Sequence, residues 1–124
     1  MQLLCLDVYK NEIRLCDCNG LEDFYEQLDC STIDIVRRKI GDKVYDIICD
    51  DEGLFRDDAR VSAITEDGEP ALVGNLLFSN HSGAETTALT PNDITNIANH
   101  ILYLPDFGHF AVFCAGWAVQ DVAF

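Results

Sequence analysis

Two β-branched runs, residues 32–39 (TIDIVRRK) and 44–49 (VYDIIC), meet across Gly41-Asp42, and this pairing constrains the fold of the chain most sharply. Val, Ile and Tyr favour a pleated, half-buried surface, and a two-residue Gly-Asp link suits a tight antiparallel turn. The pair therefore predicts a β-hairpin. At 124 residues the chain is of a size to bury one core, so the hairpin should belong to a single domain.

The neighbouring segments read as further short elements. Residues 3–9 (LLCLDVY) and 12–16 (EIRLC) are strand-like runs on either side of a Lys10-Asn11 turn. Residues 20–29 (GLEDFYEQLD) space Leu21, Phe24, Tyr25 and Leu28 by three and four, which predicts an amphipathic helix with Asn19 as its cap and Glu22 and Asp23 in its first turn. Residues 55–64 suggest a short helix or an irregular crossing, and residues 65–70 (TEDGEP) an acidic turn. Residues 71–78 (ALVGNLLF) read as one buried strand that ends in the small-residue loop 79–83 (SNHSG). Thr90-Pro91-Asn92-Asp93 is a helix start, with a capping hydroxyl, a proline at the first helical position and a carboxylate that reaches back; the helix should run to about Tyr103. Pro105 to Gly108 breaks it. The tail 105–124, apolar and aromatic, should dock on the core as a strand or helix, or form an interface through Phe110, Phe113 and Trp117. Together these elements predict an α+β domain: a small, mostly antiparallel sheet of four to six strands with two or three helices.

Charge narrows the function. The chain carries 22 acidic and 8 basic residues, a formal −14, and all eight cations lie between Lys10 and Arg60. Direct nucleic-acid binding is excluded on this ground, because no basic patch is available to displace counterions from a phosphate backbone. No apolar stretch approaches the roughly 18 to 20 residues of a membrane helix. The first residues, MQLLCLD, lack the basic leader of a signal peptide, and the six cysteines sit mostly in apolar runs, so the expected setting is a reducing cytoplasm with buried free thiols.

The densest acidic segment is residues 48–58 (ICDDEGLFRDD), with Asp50, Asp51, Glu52, Asp57 and Asp58; Glu66, Asp67 and Glu69 follow in the next turn. Counted from Asp50, Leu54 and Phe55 fill positions five and six, where a calcium loop needs an oxygen ligand and a glycine. A looser magnesium site on Asp50, Glu52, Asp57 and Asp58 is less well supported than a solvated acidic loop. Cys16 and Cys18 could share a metal, but buried thiols explain them better. His81, His100 and His109 are isolated; Ser79, His81 and Ser82 make no nucleophile elbow, and phosphate-binding glycine motifs are missing. The expectation is a protein without catalytic residues, cofactor or metal.

The order strand, LEDFYEQL helix, hairpin ending in DIICDDEGLF, ALVGNLLF strand and LTPNDI helix resembles the family called domain of unknown function 3846. ICDDEGLF is similar to that family's hydrophobic strand followed by a cysteine or similar residue, then Asn or Asp, two Glu and Gly, and LVGNLLF to its Gly-Thr or Gly-Asn strand. The resemblance covers about residues 1–101. The family's Leu-Pro-x-Asn-Arg-Ala-like stretch stands here as residues 55–60, FRDDAR, without the proline or asparagine. The resemblance implies an accessory gene of a phage or mobile element of Gram-positive gut bacteria; it carries no activity and therefore no catalytic residue.

Charge and that implied setting lead to an expected function: a counter-defence inhibitor, anti-CRISPR-like or anti-restriction-like. Its carboxylates would imitate duplex phosphates and bind a basic nucleic-acid-handling protein. The partner-binding residues would be Asp50, Asp51, Glu52, Asp57, Asp58, Glu66, Asp67 and Glu69. The alternatives are a nucleotide-signal binder, which would need Arg37, Arg38, Lys39, Arg56 or Arg60 gathered at one pocket, and an acidic domain with an unrelated partner or a homodimer contact through the tail.

Overall fold

A computed structural model describes residues 1–115. The chain folds as a single α+β domain built on two sheets. The strands are β1 (Gln2–Asp7), β2 (Glu12–Asp17), β3 (Ile33–Ile40), β4 (Lys43–Asp50), β5 (Val61–Thr65), β6 (Pro70–Val73), β7 (Leu76–Ser82), β8 (Glu85–Thr87), β9 (Ile101–Leu104) and β10 (His109–Cys114). Helices α1 (Leu21–Leu28) and α2 (Pro91–Asn99) complete it, with a single 3-10 turn at Gly53–Phe55. The larger sheet has the order β2-β1-β7-β4-β3 with β8 paired to β7, and the smaller has the order β6-β5-β10-β9. Pairing is antiparallel except between β10 and β5.

β1 sits second from the edge and is buried on both faces, which explains its unbroken apolar run LLCL. Leu3 and Cys5 face α1 and pack with Phe24, Leu28, Ile48 and Leu77. Leu4 and Leu6 face the opposite way, into a core shared with Ala63 and Val112 of the smaller sheet and Ile97 of α2. The domain is thus layered as α1, larger sheet, then smaller sheet with α2.

The β3–β4 hairpin forms as expected, with Ile40 opposite Lys43 and only Gly41 of the two turn residues at positive φ, 63°, the II′ pattern. Five local expectations are corrected, the last at the end of the second helix. Gly20, not Asn19, caps α1; it supplies no side-chain bond, and the Asn19 amide instead donates to Asp23 Oδ2 at 2.8 Å. Residues 61–64, placed in a helix or irregular crossing, and Thr65, placed in the acidic turn, form β5, because the segment pairs with β6 on one edge and β10 on the other. Residues 71–78 are not one strand: Gly74, at φ 79°, turns the chain out of β6 in one sheet and into β7 in the other. The Asn75 side chain stabilises that corner by accepting from the Val8 amide at 2.9 Å. The expected loop 79–83 is mostly the end of β7, which runs to Ser82.

The second helix starts as expected. Thr90 and Asp93 form a reciprocal capping box, with Pro91 in the first turn. It ends at Asn99 rather than Tyr103, because ILYL pairs with β10 across the Pro105–Gly108 turn. Cross-strand pairing of β-branched and aromatic side chains overrides a helical continuation there. No helix among the described residues is long and apolar enough to cross a membrane.

Candidate functional site

The acidic segment begins where β4 leaves the sheet. Asp50 Oδ1 accepts from the Glu52 amide at 2.9 Å, and the Asp51 amide donates to Thr32 O at 3.2 Å, so the first bend is tied to the chain ahead of β3. The Phe55 amide then donates to Glu52 O at 3.0 Å, closing the 3-10 turn. Gly53 lies flat against β6: a Cβ there would stand 3.1 Å from Val73 Cγ2 and 3.3 Å from Val73 O. With its glycine pressed on β6, the turn carries its next two side chains outward. Leu54 is 76% exposed and Phe55 84%.

Arg56 folds back beneath this tip. Its Nε donates to Asp58 Oδ1 at 3.4 Å, its Nη1 stands 3.9 Å from Asp50 Oδ2, and its guanidinium lies 4.8 Å from the centre of the Tyr9 ring. Arg60 lies 5.3 Å from the same ring and donates to Val8 O at 2.9 Å. Tyr9 is a post for both cations. Burial raises its phenol, the Arg56 charge opposing and the Asp58 charge adding to that rise.

The expected partner-binding residues therefore fall into three groups. Asp50 and Asp58 hold Arg56; Asp51, Glu52 and Asp57 are exposed and make no ion pair among the described residues. Glu66, Asp67 and Glu69 are exposed on the β5–β6 turn, at the end of β6 away from Val73. Three residues of extended chain, about 10 Å, separate the two ends of β6. In the tail, Phe110 and Phe113 are half-buried on β10, with Phe110 edge-on to Tyr103 at 5.4 Å, and Trp117 lies outside the described residues.

Sequence reasoning missed two features. The first is Asp34, which faces Cys49 across the hairpin and lines, with Asp50, Asp51 and Leu54, a cavity of about 200 Å³ against Ala71, Leu72 and Val73. The Gly41-Asp42 turn was signal enough, since counting outward from it pairs residue 34 with residue 49. The second is a cavity of about 380 Å³ where Lys10, Arg14 and Arg56 converge beside Tyr9, together with Asp7, Asp29 and Asp58. Of Arg37, Arg38, Lys39, Arg56 and Arg60, which a nucleotide site would need gathered at one pocket, only Arg56 lines it.

Among the described residues, three carboxylates are buried and each meets a cation: Asp7 with Arg14 at 2.8 Å, Asp46 with Arg37 at 2.9 Å and Asp93 with Lys43 at 2.8 Å. Burial pushes the Asp93 carboxyl up, but donation from Lys43, the Thr90 amide and hydroxyl and Asn80 outweighs it and holds the group well below the usual carboxylate range. The Ser79 hydroxyl is buried without a partner, so it makes no bond to His81. His100 Nδ1 contacts Asn96 O at 2.7 Å and His109 Nε2 contacts Val61 O at 2.6 Å; both rings are engaged by backbone. Among the described residues, no three His, Cys, Asp or Glu side chains come together as metal ligands.

No curated protein and no solved structure matches the chain. The family model described as "Domain of unknown function (DUF3846)" matches residues 1–102, a span that takes in both helices, the acidic turn and the Asp93 network. The chain therefore belongs to that family.

Proposed function

We propose that this chain is a protein-binding module that docks on a basic, nucleic-acid-handling protein through the turn at residues 50–58 and acts as a counter-defence inhibitor. One observation carries the reading: Leu54 and Phe55 stand largely exposed at the apex of a tethered turn, where Asp51, Glu52 and Asp57 make no ion pair among the described residues. An exposed aromatic ringed by charge has the make-up of an interface anchor, with the ring filling a partner pocket and the carboxylates forming the rim. The −14 charge steers encounter with a positive groove and disfavours acidic partners. The mobile-element setting implied by the family resemblance makes a host nuclease the natural partner class.

The test is inhibition and binding measured against a panel of guided nucleases and restriction endonucleases at low and high salt. The expected result is salt-sensitive binding, abolished by Phe55→Asp and by Asp51→Lys, Glu52→Lys and Asp57→Lys together. These positions are the right ones to reverse, because Asp50 and Asp58 also position Arg56. Binding that survives both variants would refute the assignment to this turn.

A second reading, a small-molecule site, rests on the cavity beside Tyr9. Its drawback is that Arg14 is already spent on Asp7, Glu12 and Gln27, which leaves Lys10 as the lining cation without an ion pair among the described residues. A thermal-shift panel of nucleotides decides it: stabilisation that Lys10→Ala removes supports the site, and no shift at saturating ligand dismisses it.

A further inference from the structure

We infer that the cavity between the acidic turn and β6 is a slot for one arginine side chain of the docked partner. This rests on the docking reading above and gives the partner a chemical signature. At about 200 Å³ the cavity falls below the roughly 300–1,000 Å³ of sites that enclose a drug-sized ligand, so it suits a single long side chain. Its walls divide by chemistry. Leu54, Leu72 and Val73 supply an apolar channel, against which an aliphatic stem can lie.

Two carboxylates from different elements join that lining. Asp34 comes from β3 and Asp51 from the turn; both are exposed and neither makes an ion pair among the described residues. Asp34 Oδ1 accepts from the Ile35 amide at 2.9 Å, which orients the group and leaves its other oxygen free. Asp50 is already turned toward Arg56, so the unbalanced charge belongs to Asp34 and Asp51. Two acceptors on separate elements match the planar fork of a guanidinium better than the point charge of an ammonium. Nothing in the lining donates a charged hydrogen bond, so an anion has no partner there. Leu54 serves twice, as part of the exposed tip and as a wall of the slot, which ties insertion of the side chain to docking of the turn.

The experiment needs no identified partner. Titrate the isotope-labelled protein with N-acetyl-arginine amide, and in parallel with N-acetyl-citrulline amide, which has nearly the same shape but no charge, following backbone amide shifts by NMR. The expected result is saturable shifts at Asp34, Asp51, Leu72 and Val73 with the arginine probe, and affinity at least about tenfold weaker for citrulline and for Asp34→Asn. Asp34 is exposed at its side chain, so that variant should fold. Equal shifts from both probes, or no change in Asp34→Asn, would overturn the slot. The two readings fail separately. A protein that captures the arginine probe but no basic protein keeps the slot and loses the docking proposal. One whose partner binding is lost in Phe55→Asp yet indifferent to excess arginine probe and to Asp34→Asn keeps the docking proposal and loses the slot.

Discussion

Asp93 ties the second helix to the larger sheet through one carboxylate. It accepts from Lys43 and from Tyr45 on β4, from Asn80 on β7 and from Thr90 at the helix start, with the Tyr45 hydroxyl at 3.1 Å and the Asn80 amide at 2.6 Å. Replacing it with alanine leaves several buried donors unanswered, at an expected cost of about 2–4 kcal/mol in urea unfolding. Its folded-state pKa lies below the unfolded value near 3.9, so its contribution is present above that pH and disappears as pH falls through the depressed folded value. Asp7 adds a similar slope, since donation from Arg14, Lys10 and Tyr9 outweighs the effect of burial. Stability should therefore fall from about pH 5 downward, and Asp93→Asn should flatten that fall; an unchanged acid profile in Asp93→Asn would contradict the assignment. The thiols answer in the opposite range. Burial pushes Cys5, Cys18 and Cys49 up to about 12 and half-buried Cys30 to about 11, so a disulfide reagent at pH 8 should modify Cys30 first and the others only as fast as the protein opens.

The hairpin turn meets the second helix at Gly41. Its φ of 63° suits glycine, and a Cβ there would run into the Asn96 side chain and the His100 ring. Asn96 in turn donates to Ile40 O and to the Tyr45 hydroxyl, each at 3.0 Å, so the helix reads the turn directly. Gly41→Ala should cost about 2 kcal/mol or more, well beyond an ordinary surface change, checked by thermal and urea unfolding. Elements written in local chemistry are legible in the chain itself: the Gly41-Asp42 turn, the Thr90–Asp93 box and the Phe24–Leu28 face of the first helix all depend on neighbours within a few residues. The misread elements depend on distant partners. ALVGNLLF looks like one strand because both halves are apolar, and only the separate sheets waiting for β6 and β7 split it at Gly74. ILYL looks like the end of a helix until HFAVF is there to pair with it.

Over the domain as a unit, the charge is sorted by depth. Asp7, Asp46 and Asp93 are compensated inside, which leaves the surface to carry most of the repulsion. Moderate sodium chloride should accordingly raise the melting temperature from its low-salt value, by screening that repulsion; a fall would mean that the surface ion pairs outweigh it. Phe55→Ala should change stability by no more than about 0.5 kcal/mol, since the ring is almost wholly in solvent, while weakening any docked complex severalfold or more. Periodicity, turn chemistry and composition are enough to establish the α+β class, the hairpin, the start of the second helix and the acidic balance, because each is a property of residues near one another in the chain or of the chain's totals. Which carboxylates are spent on Arg56 and which face outward is settled only in three dimensions, because pairing depends on where the 3-10 turn lands. The same holds for Gly53, which lies on Val73 and so turns Leu54 and Phe55 into solvent beside a slot flanked by Asp34, a residue far back on β3 that only the hairpin register returns to the acidic turn.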